Sequence, residues 1–143
     1  MKIHIVQHDV RTLKHEENLE WILGELESEA SREALLTVFP ACTVCGAPLF
    51  AAAGYTDVQK QAQTVLQELI ARSEHRAFLV GMPLQIQDKG LCNAIVFVQN
   101  CAIRGVVTKK YVSPLSFVVV TYGAYVAIRY ACVIGISRFG VLS

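Results

Sequence analysis

The feature that most restricts how this chain can fold is a change in the spacing of its apolar residues. They recur at every second position, then at every third or fourth, and then at every second again. Lys2 to Gln7 places Ile3 and Ile5 on one face at period two, the pattern of a strand. From Glu16 to Ala30 the period lengthens, and Leu19, Ile22, Leu23, Leu26 and Ala30 form one helical stripe, with Glu16 and Glu17 near the positive end of the helix dipole. Ala34 to Phe39 is a short apolar run halted by Pro40, as expected of a buried strand. A loop rich in small residues follows, from Ala41 to Tyr55. Thr56 and Gln59 then make a capping-box pattern ahead of the helical face Val58, Ala62, Val65, Leu66 and Leu69. Ala77 to Met82, Ala94 to Val98 and Ile103 to Val107 read as three further strands, the last two joined through a turn around Asn100. Strands alternating with amphipathic helices predict an α/β layered domain, and no internal repeat contests it.

The bulk properties narrow the function. A chain of 143 residues, 53% apolar, is long enough for one compact domain. Thirteen basic and twelve acidic residues leave a net charge of +1, which gives no field to draw nucleic acid or acidic lipid. The alternating N-terminus has none of the parts of a secretory signal, so a cytoplasmic location is expected. Cys42, Cys45, Cys92, Cys101 and Cys132 are an odd number, better suited to reduced thiols than to a disulfide framework. The last carboxylate side chain is Asp88, and from Pro114 to Ser143 the only charged side chains are Arg129 and Arg138. This change of composition divides the chain into residues 1–113 and an apolar tail, 114–143.

Several segments occur in a telling order. Gln7 closes the first strand, Asn18 opens the first helix, and Leu36-Thr37-Val38-Phe39-Pro40 ends the second strand. Phe78-Leu79-Val80-Gly81-Met82-Pro83, Cys92-Asn93-Ala94-Ile95-Val96-Phe97 and Arg104-Gly105-Val106-Val107-Thr108-Lys109-Lys110 follow. In this order residues 1–113 resemble the N-terminal part of the nitrilase (carbon-nitrogen hydrolase) superfamily. Cys45-Gly46-Ala47-Pro48-Leu49 and the Lys109-Lys110 pair look most like the glutaminase domain of glutamine-dependent NAD synthetases.

The resemblance implies a partial four-layer α-β-β-α sandwich and an amidase chemistry of Glu, Lys and Cys. In that chemistry the thiol forms the acyl intermediate, the carboxylate moves protons, and the lysine steadies the tetrahedral oxyanion. Carried over by position, the family lysine falls on Lys109. The family glutamate, directly after Phe-Pro, falls on Ala41, whose methyl group transfers no proton. The nucleophile belongs on a later strand beside an acidic residue; Cys132 is a weak candidate, lying too close to Lys109 and flanked by Ala131 and Val133. The expected protein is therefore a fragment or decayed copy of a glutamine amidohydrolase domain with little or no activity, taking glutamine or another small amide if any activity remains. The alternative is a non-catalytic module that pairs with a like domain as a homo-oligomer. No cofactor and no metal is expected.

Other motifs have plainer readings. Cys42-Thr43-Val44-Cys45 has the spacing of half a zinc site or a redox pair, but no second half accompanies it, and packed or loop cysteines fit better. Gly46-Ala47-Pro48 and Gly81-Met82-Pro83 read as turns and lack the Lys-Ser/Thr ending of a phosphate loop. Leu115 to Ile136 has the length of a membrane span, but Arg129 costs about 2.5 to 3.5 kcal/mol near a bilayer centre, and Gly123 and Gly135 interrupt it. Its Val, Thr, Tyr and Phe content favours strand or poorly specified structure over a membrane anchor. An out-of-register coding sequence would also give such a tail.

Overall fold

The computed structural model describes residues 2–46, 55–87 and 90–108, with backbone alone at 55, 56 and 90. Eight elements follow one another: β1 (Ile3–Ile5), α1 (His15–Leu26), α2 (Glu29–Glu33), β2 (Leu36–Val38), α3 (Tyr55–Ala71), β3 (Ala77–Ile86), β4 (Gly90–Gln99) and β5 (Ala102–Thr108). The strands form one sheet in the order β1-β2-β3-β4-β5. β1, β2 and β3 are parallel, as connections through helices require; β3, β4 and β5 are antiparallel neighbours.

The two apolar periods meet in the core. Phe78, Val80 and Met82 of β3 and Val96 and Val98 of β4 present alternate side chains to one face of the sheet. Against them lie Ile22 and Leu26 of α1 and Ala62, Val65, Leu66 and Leu69 of α3, the stripes expected of amphipathic helices. Phe78 is fully buried and meets Phe39 edge-on at 6.3 Å; Phe39 in turn meets Trp21 edge-on at 6.0 Å. The opposite register positions, Leu36, Val38, Leu79 and Phe97, make a second buried cluster on the other face of the sheet, and no described helix residue belongs to it. Both faces of the central strands are thus buried, which is why β2 sits in a mostly apolar run, with the Thr37 hydroxyl hydrogen-bonded to Ser31.

The helix expected from Glu16 to Ala30 is two helices. Ser28, in an extended conformation, accepts a hydrogen bond from the Ser31 amide at 3.2 Å, so a new helix is capped where the first one ends. Ala30 is consequently exposed and lies outside the stripe. Lys14 stands at the cap position of α1 without a side-chain cap, and Leu13 before it holds φ +59°. Thr56 is the second residue of α3 and not its cap. The expected turn at Asn100 is present. Asn100 and Cys101 have φ of +49° and +57° between the closing pair Gln99 and Ala102, as a two-residue hairpin demands. Ser73, at the end of α3, is fully buried and secures this turn, accepting from the Cys101 amide at 3.0 Å and donating to the Ile70 carbonyl.

Gly81-Met82-Pro83 is not a turn but the middle of β3, which runs four residues beyond its expected end at Met82. Two effects make this sequence compatible with a strand. The carbonyls of Leu79 and Gly81 accept from the Phe39 and Val44 amides, so alternate residues of β3 direct their backbone polar groups away from β4. Pro83 continues that alternation, and its missing amide hydrogen costs no bond to β4. Gly81 is required for a different reason, which concerns the candidate site.

Candidate functional site

Ligands of open α/β sheets gather beyond the carboxyl ends of parallel strands. Here that edge carries the segment from Phe39 to Gly46, which leaves β2 and crosses β3. A Cβ added to Gly81 would stand 2.5 Å from both Ala41 Cα and Cys42 N, and 2.8 Å from Ala41 C. The crossing backbone occupies the volume a side chain would need, and only glycine fits beneath it. The Val44 amide then donates to the Gly81 carbonyl at 3.2 Å, fastening the segment to the strand.

Within the segment the chain closes on itself. The Cys45 and Gly46 amides both donate to the Cys42 carbonyl, at 3.2 and 2.7 Å, and the Thr43 hydroxyl donates to the Pro40 carbonyl. Cys42 opens the turn with φ +57° and Gly46 closes it with φ +72°. Gly46 also lies against Thr12, whose Cα would be 2.7 Å from an added Cβ.

Asn18 holds this turn to the first helix. Its side chain is buried, its amide nitrogen donates to the Arg11 carbonyl at 2.7 Å and the Val44 carbonyl at 3.2 Å, and its oxygen accepts from the Arg11 amide at 3.1 Å. One amide side chain thus ties together α1, the loop before it and the turn after β2, with donors and acceptor all used. The Leu13 amide adds a bond to the Cys45 carbonyl at 2.9 Å.

The groups brought together at the turn are a methyl, two thiols and an amide. Ala41 and Cys42 are partly exposed, whereas Cys45 is fully buried. Asn93 Nδ2, on the adjacent β4, donates to Cys42 Sγ at 3.0 Å. Burial pushes the Cys45 thiol up to about 12, and the neighbouring Cys42 adds to the shift. Cys45 therefore stays protonated near neutral pH and is a slow nucleophile there. Of the residues expected to carry chemistry, Ala41 lies at this edge of the sheet, while Lys109 and Cys132 fall outside the described residues. Among the described residues no three His, Cys, Asp or Glu side chains come together as a metal would need.

Two features escaped a reading of the sequence. Asn93 contacts Cys42 across 51 positions of chain, which no local pattern reveals. His15, on the opening turn of α1, is buried, and its Nε2 has no hydrogen-bond partner among the described residues. Burial lowers its pKa, against an opposing hydrogen bond with the Leu13 backbone. It borders a cleft of about 320 Å³ between α1 and α3, lined also by Leu13, Leu19, Gln61, Thr64 and Val65. No residue of the 41–46 turn lines that cleft.

This arrangement of strands and helices is found in solved structures of two kinds of enzyme. The chain superposes on glutamine-dependent NAD+ synthetase from Acinetobacter baumannii with a TM-score of 0.68 at 16% identity, covering 80% of this chain and 22% of that one. The synthetase from Cytophaga hutchinsonii gives 0.63 at 17% identity, over 78% and 19% of the two chains. An amidase of the nitrilase superfamily from Nesterenkonia gives 0.65 at 18% identity, over 79% and 44%. In one solved form of that amidase the acetamide moiety of fluoroacetamide is covalently added at an active-site cysteine. No protein-family model and no curated protein matches the chain. The fold, a mixed five-stranded sheet with flanking helices, therefore matches that of these synthetase and amidase structures, and the chain spans less than half their length.

Proposed function

We propose that this chain is the front part of a nitrilase-type glutamine amidohydrolase unit that keeps the fold and has lost the hydrolysis. The parent reaction is cleavage of a carbon-nitrogen amide bond to supply ammonia. The observation that carries this reading is Ala41, at the carboxyl edge of the parallel strands and beside the Gly81 crossing. A methyl group there neither accepts nor donates a proton. Lys109 supplies charge without an acyl acceptor, and Cys132 lacks the acidic neighbour expected of the nucleophile. Purified chain incubated with glutamine is expected to release no ammonia above buffer. Turnover that Cys132→Ala abolishes would overturn the reading.

A second reading, a homo-oligomeric interaction module, is favoured by the sheet face opposite the helices. Ile3 and Ile5, paired with Leu36 and Val38 of the second apolar cluster, are 36% and 56% exposed. A like chain is the partner this surface suits. Light scattering decides: a mass that doubles with concentration supports it, and a monomer at high concentration removes it.

A further inference from the structure

The Cys42–Cys45 pair has no place in the amidase reading, yet its geometry has a chemistry of its own. The hydrogen bond from the Cys45 amide to the Cys42 carbonyl, 3.2 Å long, closes a four-residue turn. Such a turn brings the end Cα atoms within about 7 Å. Disulfides span Cα separations of about 4.4 to 6.8 Å, a range that overlaps the spacing such a turn imposes. The two side chains also share a small apolar cluster, in which Cys45 and Val58 are buried and Cys42 packs against them.

The two thiols differ in access. Cys42 is partly exposed, and Asn93 Nδ2 points at its sulfur from 3.0 Å. An amide donor in that position both holds the side chain and faces the charge that a thiolate carries during exchange. Cys45 is sealed from solvent, its Sγ 3.6 Å from the Gly46 carbonyl, so an external reagent reaches Cys42 first. The other described cysteines stand elsewhere. Cys101 is in the β4–β5 turn, and Cys92 precedes Asn93 on β4, so the two neighbours project to opposite faces of the sheet.

We propose that Cys42 and Cys45 form a dithiol modification site: Cys42 exchanges with a low-molecular-weight disulfide, and Cys45 resolves the adduct into an intramolecular bond across the turn. In the first step the Cys42 thiolate attacks one sulfur of the small disulfide. A mixed disulfide forms, and one small thiolate leaves and takes up a proton. In the second step Cys45 gives up its proton and attacks Cys42 Sγ, and the second small thiol departs. The protein dithiol is oxidised by two electrons and the small disulfide is reduced to two thiols. Because Cys45 is reluctant to lose its proton, the second step is the slow one. Its rate rises about tenfold per pH unit while the thiol remains mostly protonated.

The test uses the full, reduced chain with oxidised glutathione as the probe. Samples taken over time are quenched by alkylation and mapped by mass spectrometry after trypsin. The peptide 33–60 carries both cysteines and no other. It is expected first with one glutathione, then lighter than the reduced peptide by two hydrogens and closed to alkylation, with the conversion faster at pH 9 than at pH 7. Cys45→Ser should stop at the glutathione adduct, and Cys42→Ser should take no adduct at Cys45. The proposal is overturned if both thiols remain open to alkylation after prolonged treatment at pH 9. It is equally overturned if Cys42 is found joined to Cys92, Cys101 or Cys132.

Discussion

Replacing Gly81 by alanine tests whether the turn after β2 lies on β3 as described. The new Cβ would meet Ala41 Cα and Cys42 N at 2.5 Å and Ala41 C at 2.8 Å. All three are backbone atoms, so no side chain can swing aside, and either the strand or the turn must move. Overpacking of a tight site costs about 1 to 3 kcal/mol, and a rigid backbone neighbour places this site at the upper end. Displacing the turn also stretches the hydrogen bond from Val44 to Gly81, worth about 1 kcal/mol, while alanine recovers roughly 0.5 to 1 kcal/mol of backbone entropy. The net loss is about 3 kcal/mol, or about 1 to 3 M in the urea midpoint for ordinary values of m. Trp21, the single tryptophan, lies in the adjoining aromatic cluster and serves as the fluorescent reporter. Gly24→Ala is the control: nothing stands within 4 Å of its Cβ in α1, so helix propensity alone should stabilise by up to about 1 kcal/mol. The two substitutions should have opposite signs. An unchanged or raised midpoint for Gly81→Ala would show that the crossing is not there.

Further expectations concern the start of α1, the buried titratable groups and the core. Lys14→Asp should supply the missing cap and raise stability by about 0.5 to 2 kcal/mol, read from the thermal midpoint; a neutral or negative effect would count against an uncapped helix. His15 has a lowered pKa when folded, so below its ordinary value of 6.5 the unfolded chain takes up a proton that the folded chain refuses. Stability should fall as pH drops through that region until the folded ring also titrates, and His15→Leu should flatten the slope in urea melts at pH 5 and 7. Cys45 gives the opposite limb: above about pH 9 the unfolded thiol ionises while the folded one does not, and stability should fall by about 1.4 kcal/mol per pH unit toward pH 12. Cys45→Ala should remove that slope. Phe78→Ala should cost about 3 to 5 kcal/mol, since the ring is fully buried against Phe39 and the helix stripes; a loss below 1 kcal/mol in urea melts would refute its central place.

What the sequence determined by itself is whatever neighbours within a turn can encode. Ile3 and Ile5, the stripe from Leu19 to Leu26, the face from Val58 to Leu69 and the turn at Asn100 each follow from spacing along a few residues, and the α/β architecture follows from their order. The break at Ser28 was local too, but a serine in a helical stripe and a serine capping a new helix differ only once the backbone has turned. Tertiary structure decided the rest. Gly81-Met82-Pro83 carries the composition of a turn, and it is a strand because Pro83 faces away from β4 and because the backbone at Ala41 and Cys42 lies across Gly81. Ala41 was legible as a position in an ordered set of motifs, whereas the side chains that meet the turn, Asn18 and Asn93, come from other elements of the fold. A period is set by residues a few places apart; a crossing is set by how elements distant in the chain pack, and no local pattern in this sequence contains that distance.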